Sequence, residues 1–173
     1  MTRQNIDQTV ETVLAVFRNR GHEEYHGEPV SQLEHAVQAA ELAQQHDPND
    51  PEFILAAFLH DFGHLCGSGR DEDKMDGYGA WQHELTGARE LERFGFSEKI
   101  TRLVAGHVQA KRYLVSTDPV YYEGLSKASR ITLEKQGGFY LQKNNGRLSR
   151  IPCSNNTLLC AESMNEPRWR GSQ

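Results

Sequence analysis

Residues 56–65 read AAFLHDFGHL, a histidine followed at once by an aspartate at the end of an apolar run. A polar pair buried at the end of such a run needs a hydrogen-bonding partner or a metal ion. Upstream lies Glu34-His35, and downstream lie His83 and His107. Helix-like patterns separate these points, so the chain reads as an all-α bundle with a metal centre inside it.

The patterns on either side supply the helices. Ile6, Val10, Leu14 and Phe17 form an apolar stripe over residues 4–19, and Gly21 ends it. The polar segment 22–32, with Gly27 and Pro29, reads as a loop. Ser31 and Glu34 form a capping box for a second helix reaching Gln45, with Leu33, Val37, Ala40 and Ala43 expected inward. Asp50-Pro51 opens a third helix, apolar almost all round at residues 53–59 and so central, with Gly63, Gly67 and Gly69 ending it. Residues 68–79 form a charged, glycine-rich loop near the site. A fourth helix is expected over 80–94, with Trp81, Leu85, Ala88 and Leu91 inward and Gly95 as its stop. Ser97 caps a fifth, with Ile100, Leu103, Val104 and His107 on one side, and a sixth covers 126–136. From residue 137 onward no 3.6-residue period persists, which divides the chain into a helical core at 5–138 and an irregular tail at 139–173.

Composition narrows the function classes. The 173 residues suffice for one domain with one core. The net charge of -5 gives no general attraction to nucleic acid or an anionic membrane. No apolar run is long enough to span a bilayer, and residues 1–10 lack the apolar core of a secretory signal. Cys66, Cys153 and Cys160 show no CxxC spacing, so reduced thiols and a cytoplasmic location are expected.

Imidazole and carboxylate donors suit iron, manganese and zinc. Neighbours on a helix diverge by about 100°, so an aspartate directly after a ligating histidine makes sense as a bridge. In this reading His35 and His60 hold one metal, His83 and His107 the other, and Asp61 reaches both. His64, one turn from the pair, lines the pocket as a donor to substrate or oxygen. Lys111 stands one turn after His107 on the same face, where its ammonium can neutralise anionic oxygens. His22 and His46 read as ordinary helix or surface histidines.

The stretches YHGEPVSQLEHAVQAAELA (25–43), AAFLHDFGHL (56–65), GHVQAKRYL (106–114) and SKASRITLEKQGG (126–138) resemble the HD-domain superfamily. Within it they are most similar to the mixed-valent diiron oxygenase branch that acts on organophosphonates. The resemblance implies an HD-domain helical bundle holding two iron ions, Fe(II)/Fe(III). It implies an oxygenase that uses dioxygen to cleave the carbon–phosphorus bond of a 1-hydroxy-2-aminoethylphosphonate-type substrate, releasing phosphate. It places Tyr25 over the oxygen-binding iron until substrate arrives, and Glu28 against the substrate's amino group. His64, Lys111, Ser126 and Ser129 match substrate-contacting positions. The branch also carries a late Asp ligand after a Trp. Here Arg170 follows Trp169, no Asp lies beyond Asp118, and among the later carboxylates Glu134, Glu162 and Glu166 do not match that place. Weak iron retention and low turnover are therefore expected. The other readings are an HD-type phosphohydrolase of a nucleotide or phosphate monoester, and a catalytically weak metal-binding protein.

Overall fold

The computed structural model describes residues 3–25, 27–66 and 80–140. These form eight helices and no strand, as the periodicity requires. They are α1 (Arg3–Arg20), α2 (Gln32–His46), α3 (Pro51–Leu59), α4 (Phe62–Cys66), α5 (His83–Arg93), α6 (Glu98–Thr117), α7 (Pro119–Gly124) and α8 (Lys127–Lys135). Among the described residues no helix is long and apolar enough to cross a membrane. All of the expected loop at 68–79, and most of the expected tail with Trp169 and Arg170, lies outside the described residues.

Caps lie where the sequence places them. Ser31 accepts from the Glu34 backbone N–H, and the Glu34 carboxylate returns a bond to the Ser31 N–H. Asp50 accepts from the Phe53 N–H ahead of Pro51, and Ser97 accepts from Ile100. The same Asp-Pro signal at Asp118-Pro119 opens α7, a helix that the sequence reading passes over.

α3 is the central element. It packs against α2 on one side and α6 on the other, and buries Phe53, Ala56, Ala57 and Leu59. Leu91, Leu103, Val104, Phe62 and Phe17 complete this core. A smaller cluster of Val115, Leu125 and Leu133 joins α6 to α8.

Several faces turn out differently. On α2 the buried residues are Gln32, His35, Ala36, Ala39 and Ala43, whereas Leu33 and Val37 face outward. Packing His35 into the centre rotates the helix, and the alanines then let α3 approach closely. On α1 only Val13 and Phe17 are buried; Ile6, Val10 and Leu14 are exposed. The helix reaches the core by its C-terminal half alone, where Phe17 meets the Phe58 ring at 4.8 Å.

The glycine stop is also different. The chain breaks at His60-Asp61, and Gly63 lies inside α4. A Cβ there would sit 1.9 Å from the His83 carbonyl oxygen and 2.8 Å from the Gly87 nitrogen. The glycine is needed for α5 to approach α4. α5 itself starts at His83 and not at residue 80, because Gln82 adopts φ 51 in the left-handed region. That conformation is unfavourable for a non-glycine residue and reverses the chain just before a site residue. Trp81 consequently points outward and is about half exposed.

Candidate metal centre

Seven polar or charged residues are buried among the described residues: Gln32, His35, His60, Asp61, His83, His107 and Lys111. All but Gln32 converge on one point. His35 comes from the first turn of α2, His60-Asp61 from the α3–α4 break, His83 from the start of α5, and His107 with Lys111 from α6.

Asp61 stands in the middle. Its Oδ2 lies 3.2 Å from His60 Nε2 and 3.6 Å from His35 Nε2. Its Oδ1 lies 3.1 Å from His83 Nε2 and 3.6 Å from His107 Nε2. The two nitrogens of each pair are 3.1 Å apart. The carboxylate thus presents one oxygen to each pair of imidazoles.

Backbone carbonyls set the tautomers. His60 Nδ1 donates to the Ala57 carbonyl and His107 Nδ1 to the Val104 carbonyl, both at 2.7 Å. Neutral His107 therefore presents a bare Nε2 lone pair to the centre, and His60 turns its Nε2 the same way. His64 is the reverse case: its Nδ1 accepts from the Ala80 N–H at 3.0 Å. Its Nε2 carries the proton and lies 3.9 Å from Asp61 Oδ1. His64 is therefore a donor into the site.

Electrostatics agree with a cation-binding role. Burial pushes His35 down to about 3 and holds His107 well below the ordinary imidazole range, so both are neutral. Burial alone would raise the Asp61 carboxyl, but the His60 and His83 imidazoles outweigh it and hold Asp61 well below its usual value. One carboxylate with four converging ring nitrogens fits two cations of the iron, manganese or zinc type, since a cation takes both lone pairs of a facing pair at once. His35, His60 and Asp61 place donor atoms within 4.8 Å of one another, as do Asp61, His64 and His83.

The rim is built from the loop after α1 and from α8. Tyr25 and Glu28 close a turn through the Glu28 N–H to Tyr25 carbonyl bond at 2.9 Å, with Gly27 at φ 80. The Tyr25 ring stacks on His35 with centroids 3.8 Å apart, and its hydroxyl feels the Asp61 charge. Burial first, then the nearby Asp61 and Glu28 charges, raise this phenol well above its usual range, so it stays protonated. Glu28 Oε1 accepts from Ser126 Oγ at 2.5 Å. Ser126 is also the N-cap of α8, accepting from the Ser129 N–H at 3.0 Å. Ser129 itself is half-buried in the first turn of α8. Lys111 is buried, which lowers its ammonium to about 8, while Asp61 and Glu28 act in the opposite sense. The structure thus gathers His35, His60, His64, His83 and His107 around Asp61, with Lys111 and Tyr25 beside it and Ser126 joined to Glu28.

Arg20 was not among the sequence-expected site residues. Its Nε and Nη2 donate to the Glu23 carboxylate at 2.7 and 2.9 Å, and its Nη1 donates to the Leu65 carbonyl at 2.6 Å. It ties the loop carrying Tyr25 to the helix carrying His64. No local pattern distinguishes it from any arginine at a helix end.

The chain is similar to known proteins over most of its length. The HD domain family model matches residues 32–136. An uncharacterised protein of Acanthamoeba polyphaga mimivirus is 39% identical over 90% of this chain and 70% of its own length. The 1-hydroxy-2-(trimethylamino)ethylphosphonate dioxygenase (glycine-betaine-forming) of Leisingera caerulea is 43% identical over 80% of this chain and 69% of its own. Hydroxymethylphosphonate dioxygenase of Gimesia maris is 40% identical over 76% of this chain and 64% of its own.

Proposed function

The chain belongs to the HD-domain family, in its oxygenase branch, and from that premise we propose that it uses two iron ions and dioxygen to cleave a carbon–phosphorus bond. The substrate in this reading is a 1-hydroxy-2-aminoethylphosphonate, and inorganic phosphate is a product. The observation that carries the reading is the division of Asp61, with one oxygen toward His35 and His60 and the other toward His83 and His107.

When bound, the iron pair supplies dioxygen activation and Lewis-acid chelation of the hydroxyl and phosphonate oxygens. The chain's own residues do the rest. His35 and His60 would hold one ion and His83 and His107 the other, with Asp61 turned to both. Tyr25, kept protonated, covers the His35 side until substrate arrives. The Lys111 ammonium neutralises phosphonate oxygens, and His64 donates its Nε2–H to a substrate oxygen. Glu28 receives the substrate amine, and Ser126 holds that carboxylate in place meanwhile. Ser129 lines the α8 side.

The amine-binding role of Glu28 favours an aminated substrate over hydroxymethylphosphonate. The test is an oxygen-uptake and phosphate-release assay on the Fe(II)-loaded chain given 2-amino-1-hydroxyethylphosphonate. Coupled oxygen consumption and phosphate release are expected. Phosphate from a monoester without oxygen uptake would replace the proposal by hydrolysis. Bound iron with neither reaction would leave a metal-binding protein.

A further inference from the structure

Two of the site histidines owe their tautomer to a carbonyl three residues earlier in their own helix. His83 has no such carbonyl, because it is the first residue of α5 and Gln82 before it is left-handed. Its Nδ1 is buried and lacks a hydrogen-bond partner. The nearest anionic group is the carboxylate of the next residue, Glu84, with Oε2 3.8 Å from that nitrogen. This is outside hydrogen-bond distance, and a small side-chain adjustment closes it. The Glu84 carboxylate is mostly buried, so a hydrogen bond there is shielded from water.

We infer that Glu84 is a positioning residue that takes the His83 Nδ1–H and thereby leaves the His83 Nε2 lone pair free for a cation shared with Asp61. The inference deepens the two-iron reading and rests on it for its consequence. Of His60, His64, His83 and His107, His83 alone has a carboxylate as the available partner of Nδ1. An anionic partner makes an imidazole a more basic ligand than a carbonyl does. The ion between His83 and His107 would then be held more strongly through Glu84, and the ion between His35 and His60 would not depend on it.

The test compares the full chain with Glu84→Gln and Glu84→Leu. Proton and nitrogen-15 shifts of the zinc-loaded proteins, with zinc as a diamagnetic probe, report the His83 Nδ1–H. The wild type is expected to show this proton in a hydrogen bond, shifted downfield and slow to exchange. Glu84→Gln, which keeps an acceptor oxygen, should largely retain that bond, and Glu84→Leu should lose it. Anaerobic Fe(II) titration should then show two binding steps in the wild type, with one step weakened about 10- to 100-fold in Glu84→Leu and the other unchanged. An unaltered His83 Nδ1–H signal in Glu84→Leu would overturn the inference. So would loss of that signal with both binding steps intact. A wild type that shows the expected signal but takes up no iron supports the Glu84 contact and refutes the two-iron reading instead.

Discussion

Asp61 is surrounded by groups whose burial is costly until a cation joins them. Four imidazoles and a carboxylate occupy a volume from which water is largely excluded, and the ring nitrogens face each other at 3.1 Å. Lys111 shows the same conflict with the opposite charge. Holding its ammonium at about 8 against an ordinary 10.5 corresponds to about 3 kcal/mol at neutral pH. The unfolded chain binds this proton between pH 8 and 10.5 and the folded chain does not, so stability rises with pH across that window. Lys111→Met is therefore expected to stabilise the iron-free protein by about 1–3 kcal/mol at pH 7 and to flatten its pH dependence up to pH 10. The same variant should raise KM for a phosphonate at least about tenfold, the equivalent of one lost charge-assisted contact. Thermal melting from pH 7 to 10 and steady-state kinetics check both; a lowered melting temperature would mean that Lys111 serves the fold and not the substrate.

At the scale of elements, the site depends on how closely helices approach. Gly63 and Gly87 bring the backbones of α4 and α5 together, and the His83 carbonyl fills the space a Gly63 Cβ would need. Gly63→Ala is expected to cost about 1–3 kcal/mol by overpacking. It should also displace His83 from Asp61 and so reduce bound iron to one ion per chain. Calorimetry and metal analysis of the variant decide this, and two tightly held ions would refute it. A glycine in an apolar run reads equally well as a helix stop or as a contact, and only the neighbouring helix distinguishes them. The same ambiguity misplaces Leu33 and Val37: both the Leu33/Val37 and the Ala36/Ala39/Ala43 rows of α2 are apolar. Which row turned inward was settled by His35, whose ring has to reach His60.

For the whole molecule, the proposed ion pair would couple folding to metal binding. The candidate ligands come from α2, the α3–α4 break, α5 and α6, so bound ions would tie together helices that the Leu59, Leu91, Leu103 and Val104 core already joins. Removing iron with a chelator is expected to lower the melting temperature, since a ligand at a hundredfold its Kd stabilises the native state by about 2.7 kcal/mol per site. Melting monitored by circular dichroism, with and without chelator, checks this; identical curves would show that the bundle is stable without its centre.

The all-α class, the caps at Ser31, Asp50 and Ser97, and the candidate ligands were legible in the sequence, because hydrophobic period, capping chemistry and donor type are local properties. The division of Asp61 between two imidazole pairs, the opposite tautomers of His64 and His60, the burial of Lys111 and the clamp formed by Arg20 were settled only in three dimensions. Each depends on the direction and distance between side chains from different helices, and those follow from the packing of one helix on another.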